Sequence, residues 1–170
     1  MQKKSVKTIV TVALLIAVEV VLNRFCSINT ESLKIGFGFV PIAICGMLFG
    51  PVWAAAAGFL SDFTGAILFP IGPYFPGFSF TSALTGAMFG LLLRRQPAGL
   101  PSICICAVVN NLIFGLLLNT LWISLLYGTP FLQLLPLRFM QSAVMIPVQI
   151  AVLTLMRRPV ARLVRMRAAS

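Results

Sequence analysis

The sequence predicts an all-α membrane protein of six transmembrane helices, one domain over residues 1–170, with both termini cytoplasmic. Three observations carry this. Only 9% of the 170 residues are charged and the mean hydropathy is +1.03, whereas a soluble domain carries about 25% charged residues. So few charges cannot clothe a water-facing surface, which makes lipid the outer solvent. Apolar runs of spanning length also recur along the chain, broken at Pro and Gly. Finally, the basic residues gather in clusters that an even span count puts on one side.

Each span follows from the ~20 apolar residues a helix needs to cross ~30 Å of hydrocarbon. Residues 8–27 supply the first. Lys3, Lys4 and Lys7 precede it as they would a secretory signal, but the run exceeds a signal core and no small-x-small cleavage site follows. It reads as a retained span. Ile35–Phe69 would reach about 52 Å as one helix. Gly50-Pro51 near its middle is a turn signal, so it divides into spans at 35–50 and 52–69. Pro70–Pro76 is a loop, and span four covers 77–93. Arg94-Arg95-Gln96-Pro97 ends it, and spans five and six cover 102–127 and 131–156. A basic tail, 157–170, follows.

Charge sets the orientation. Lys3, Lys4, Lys7, Arg94, Arg95, Arg157, Arg158, Arg162, Arg165 and Arg167 make ten of the thirteen basic residues. Six spans place them all on one face, which the positive-inside rule makes cytoplasmic. The basic tail carries no interleaved aromatics, so it reads as a topology determinant attracted to anionic membrane lipids, not as a nucleic-acid surface.

Several chemistries are excluded or disfavoured. There is no phosphate-cradling glycine loop, so any ATP-driven step belongs to another chain. There is no His and no nucleophile–base constellation, which disfavours an enzyme. No metal site or other cofactor is expected. Cys26, Cys45, Cys104 and Cys106 lie in or beside apolar segments and read as small hydrophobes. Cys-x-Cys on a helix points its thiols about 200° apart.

The remaining charges are the informative ones. Arg24, Lys34 and Arg138 stand outside the basic clusters, as do all three acids, Glu19, Glu31 and Asp62. In the six-span arrangement all six lie at mid-depth or further out. A charge at mid-depth costs at least ~2.5–3.5 kcal/mol unless it meets a partner or a wet cavity. This is the pattern of an outward-opening solute site, with a structural ion pair between Arg138 and Asp62 or Glu19 as the competing reading. Helical spacing adds polar stripes: Arg138, Gln141, Ser142, Met145 and Gln149 on span six, Asn111, Gly115, Asn119 and Trp122 on span five, and Gly58, Ser61, Asp62 and Gly65 on span three. Small and amide residues also serve as glue between membrane helices, which is the expected role of the glycines. Phe69–Phe78 packs three prolines, two glycines and four aromatics into ten residues, a stiff path suited to a lid or wall over a flat ligand.

Three stretches carry a resemblance to a known family: Asn23–Pro41 (NRFCSINTESLKIGFGFVP), Gly46–Trp53 (GMLFGPVW) and Asp62–Phe78 (DFTGAILFPIGPYFPGF). Together they resemble the folate-type substrate-binding (S) component of energy-coupling-factor (ECF) vitamin transporters, over most of residues 8–95. Spans five and six match only in general character. The resemblance implies the ECF S-component-like six-helix bundle in a bacterial cell membrane. It also implies capture of folate from outside and docking to a membrane coupling protein driven by two cytoplasmic ATPase subunits. Such components dock through a small-x-x-x-small face on the first helix, which here implies Ala13 and Ala17.

Folate's chemistry assigns the leftover residues. Arg24, Lys34 and Arg138 suit its carboxylates, Tyr74, Phe75 and Trp122 its rings, and Asp62, Asn119 and Gln141 the pterin edge. The alternatives are an S component for another small vitamin or precursor, and a stand-alone carrier of an organic anion. The carrier reading would want an inverted repeat, and none is evident. A ligand-free scaffold leaves the outer-half charges unexplained.

Overall fold

A computed structural model describes residues 2–25, 27–29, 34–70, 72–94 and 98–169. Cys26, Glu31 and Arg95-Gln96-Pro97, singled out above, lie outside the described residues, as do the side chains of Lys3, Lys4, Lys34, Arg165 and Arg167. The elements are α1 (Gln2–Arg24), β1 (Ile28–Asn29), β2 (Lys34–Ile35), α2 (Phe39–Phe49), α3 (Pro51–Leu68), α4 (Pro76–Leu93), α5 (Leu100–Val109), a π-helical segment (Asn110–Leu118), α6 (Asn119–Tyr127) and α7 (Phe131–Ala169). The run from Leu100 to Tyr127 is continuous. Five helices among the described residues are long and apolar enough to cross a membrane, and α2 is a shorter apolar helix.

Large apolar side chains such as Leu14, Val52, Leu132 and Leu155 stand on the outer surface, as lipid solvation requires. Hydrocarbon offers no hydrophobic drive for helices to associate, so close packing must hold them. Glycines provide it between α3 and α4. A Cβ on Gly86 would lie 2.1 Å from the Ala54 carbonyl oxygen, and one on Gly58 would lie 2.3 Å from that of Ser82. Gly90 approaches Pro51 and Gly46 approaches Gly90 in the same way, locking α2 onto the pair. The expectation that Gly58 is glue matches this packing. Below the site, Phe89, Leu93, Ile103, Cys106 and Leu153 form a fully buried core, and Val12, Cys45, Ala54 and Ala57 form a second. Cys106 is buried and Cys104 exposed, as their spacing requires.

Three features differ from the expected ones. The second helix is 11 residues long, about 16 Å, because Lys34 and Ile35 pair with Asn29 and Ile28 in an antiparallel ladder. Gly38 then folds this segment against α1, where an added Cβ would lie 3.1 Å from Glu19 Oε1, and one on Gly36 would lie 2.5 Å from Ser27 Cβ. The break at Gly50 matches expectation, with φ +90° and Pro51 opening α3. Span five contains nine residues of π-helix, which the periodicity did not suggest. The basic tail is not detached: α7 continues through it, and Val160 joins the core beside Leu93 and Ala98.

Candidate functional site

A cavity of about 520 Å³ opens between α1, α2, α3, α4, the Leu100–Tyr127 helix and α7. Each element brings it one kind of chemistry. The last turns of α1 contribute Glu19, Asn23 and Arg24, and α3 contributes Asp62. The stiff loop and the start of α4 supply Tyr74, Phe75, Phe78 and Thr81. Asn110, Asn111, Asn119 and Tyr127 come from the Leu100–Tyr127 helix, Arg138, Gln141 and Met145 from α7.

The rigid loop forms an anchored wall. Proline opens α4 at Pro76, and the rings beside it are braced from behind. Phe75 leans on Trp122 with centroids 5.5 Å apart, Tyr74 meets Phe63 edge-on at 5.8 Å, and Phe69 meets Phe25 edge-on at 5.3 Å. Gly77 permits the first contact, since a Cβ there would lie 2.6 Å from both Phe75 and Trp122. Trp122 therefore supports the Phe75 ring and does not line the cavity. Its Nε1 donates to Thr81 Oγ1 at 3.0 Å, turning the indole toward α4.

The charges divide into supported and unsupported. Asp62 Oδ2 accepts a hydrogen bond from Ser79 Oγ at 2.8 Å, and Ser79 Oγ lies 3.2 Å from the Tyr74 hydroxyl. Glu19, only 4% exposed, accepts from Asn23 Nδ2 at 2.9 Å. Arg24 lies across Gly65, whose added Cβ would stand 3.2 Å from its Nε. Arg138 is different. It is 7% exposed, its Nη1 donates to Gln141 Oε1 at 3.3 Å, and its Nε has no hydrogen-bond partner. Among the described residues it forms no ion pair, with Asp62, Glu19 or any other group. A buried guanidinium left without an anion costs several kcal/mol, so this wall favours an anion beside Arg138.

Away from Arg138 the cavity ends in amides. Thr85 Oγ1 donates to Asn110 Oδ1 at 3.2 Å, and Asn110 Nδ2 donates to Gln149 Oε1 at 3.3 Å. Asn111 Nδ2 donates to the same Gln149 oxygen at 2.6 Å and to the Ala107 carbonyl at 2.8 Å. Ser142 Oγ fastens α7 to the Asn111 carbonyl. Arg138 and Gln149 stand eleven residues apart on α7, about 16 Å along the axis. The cavity thus has Arg138 toward one end, aromatic rings along one side and amides toward the other end, with Arg24, Glu19 and Asp62 also lining it.

Of the residues chosen from sequence, the structure brings Arg24, Asp62, Tyr74, Phe75, Asn119, Arg138 and Gln141 to this cavity. Trp122 stands one layer behind, and the Lys34 side chain lies outside the described residues. Thr85, Asn110 and Tyr127 also line the cavity without having been singled out. Glu19 and Asn111, marked in the sequence by depth and spacing, line it as well. Ala13 and Ala17 are exposed on the outer surface of α1.

Known proteins match this arrangement. Residues 7–157 match the family described as "ECF transporter, substrate-specific component". The folate transporter FolT of Clostridium novyi is 33% identical over 150 residues, spanning 88% of this chain and 87% of that one. The folate transporter FolT of Leuconostoc mesenteroides is 25% identical over 156 residues, spanning 88% and 84%. A crystal structure of FolT bound with folic acid superposes with a TM-score of 0.81 at 33% identity, covering 86% of this chain and 91% of that one. The aromatic-walled membrane cavity and these matches agree on a transport component and not an enzyme: this chain belongs to the family of substrate-specific components of ECF transporters.

Proposed function

We propose that this chain is the membrane-embedded subunit that captures folate from outside the cell for ATP-driven uptake by an ECF transporter. The observation that carries the reading is Arg138, a buried guanidinium without an anion on the wall of an aromatic, amide-ended cavity. Folate supplies what each region lacks: carboxylates for Arg138, Arg24 and Lys34, flat rings for the Tyr74 and Phe75 wall, and a hydrogen-bonding pterin for the polar groups deeper in. Gln141, whose carbonyl is engaged by Arg138, goes with the tail; Asp62 and Asn119 offer contacts to the rings. The tail lies toward the mouth because carboxylates are the costlier groups to bury. The likeness to proteins named as folate transporters, and to one bound with folic acid, supports the same reading.

The subunit works with a membrane coupling protein and two cytoplasmic ATPase subunits. Ala13 and Ala17 on the exposed face of α1 form the docking surface. Six crossings place both termini in the cytoplasm of a bacterial cell, with the basic end of α7 against anionic lipid.

The test is to titrate the purified chain and its Arg138→Ala variant with folate and with pteroate, which keeps the rings and lacks the glutamate. Folate should lose most of its advantage over pteroate in the variant. Equal losses for both ligands would show that Arg138 holds the fold instead of the tail.

A further inference from the structure

The deep end of the cavity is organised by a residue that does not reach it. Gln149 is fully buried, and its single carbonyl oxygen accepts from both Asn110 and Asn111. Consecutive residues on a regular α-helix point about 100° apart; here both side chains belong to the π-helical segment, and both reach one acceptor and one cavity. Single-turn π irregularities concentrate at functional sites, and this one is nine residues long.

Hydrogen-bond accounting then fixes what the two amides offer. Both N–H groups of Asn111 are spent, on Gln149 and on the Ala107 carbonyl, so its oxygen is what Asn111 has left to offer. Asn110 uses one N–H on Gln149 and receives Thr85 on its oxygen, which leaves it an N–H to offer. While Gln149 presents its oxygen, neither amide can turn over without losing its bond to it. The cavity floor therefore presents a donor beside an acceptor in a fixed order.

We propose that Gln149 is a positioning residue that locks Asn110 and Asn111 as a donor–acceptor pair, and that this pair reads the lactam edge of a 4-oxo pterin. The lactam offers the complement, with O4 accepting from Asn110 and N3–H donating to Asn111. This rests on the folate reading of the site and adds what decides between pteridines. A 4-amino pteridine has a donor at position 4 and an acceptor at N3, so each of its groups meets its own kind. A site built to hydrogen-bond one pattern rejects the other strongly, because its own polar groups are left unpaired.

The experiment compares folate with aminopterin, which differs from it only in carrying a 4-amino group for the 4-oxo group. Affinities are measured for the wild-type chain, for Gln149→Met, which keeps side-chain length without the carbonyl, and for Thr85→Val, which frees Asn110 from the other side. The wild type should prefer folate by at least about tenfold. Gln149→Met should bring that ratio down at least about fivefold, with folate weakened and aminopterin nearly unchanged, because an untethered amide can flip to suit either ligand; Thr85→Val should lower it less, since Asn110 then keeps its bond to Gln149. A wild type that binds both ligands equally overturns the proposal. So does an equal loss for both ligands in the variants, the signature of a merely structural role. If Gln149→Met fails to fold, Thr85→Val and the wild-type ratio still decide. Absence of any folate binding by the wild type is a separate result, and would remove the folate reading itself.

Discussion

Arg138 shows how one residue can point to its ligand. A guanidinium is always charged and carries five donors in a planar fork, yet here one bond, to Gln141, is made. If Arg138 is a desolvated partner of the folate tail, Arg138→Ala should weaken folate by about 2–5 kcal/mol, and by far less if it acts only as rim charge. Residues of this kind are legible in sequence because a charge in the middle of an apolar run has few reasons to be there. Arg24 and Asp62 were found the same way. The limits are equally physical. Trp122 was assigned to the cavity because it shares a helical stripe with Asn119, but a stripe does not say which layer of a packed wall a ring occupies. Asn110 is not marked by α-helical periodicity, which assigns Asn111 to the polar face and turns its neighbour about 100° away, yet both line the cavity.

At the scale of elements, α1 serves two surfaces at once. Its last turns carry Glu19, Asn23 and Arg24 into the cavity, while Ala13 and Ala17 stand on its outer face. Small residues there let another helix approach closely, and a large side chain would hold it off. Replacing both alanines with leucine should therefore leave folate binding by the isolated chain nearly unchanged and abolish uptake when the ATPase module is present. Binding and uptake falling together would contradict the docking assignment. Elements built from local signals were readable: the Gly50-Pro51 break, Pro76 at the start of α4, and the proline-rich wall all follow from backbone restrictions on those residues. The shortened α2 was not readable. Ile35–Phe39 is apolar enough to extend a span, and only pairing of Lys34–Ile35 with Ile28–Asn29 takes it out of the helix. Such pairing between segments leaves no mark in hydropathy.

Across the whole molecule, the proposed six crossings would sort charge by depth. Ten of thirteen basic residues fall on the side assigned to the cytoplasm, and the acids, with the three remaining cations, lie at mid-depth or beyond. This arrangement predicts that a cysteine introduced at Gln96, in a chain lacking its native thiols, reacts only with reagent on the cytoplasmic side. One introduced at Asn29 should react only from outside. External labelling at Gln96 would rule out six crossings, the α2 helix being the one short enough to put that count to the test. The overall architecture was legible because lipid imposes one rule on every residue facing it. The depth and lining of the cavity were not, because they depend on which helices the glycines of α3 and α4 bring together. What the assembled molecule is for rests on its ligand. The most direct measurement is an equilibrium titration of the purified chain with folate, competed in turn by folate, thiamine, riboflavin and biotin. The account predicts saturable one-to-one binding displaced only by folate. No folate binding, or displacement by one of the other vitamins at lower concentration, would contradict it.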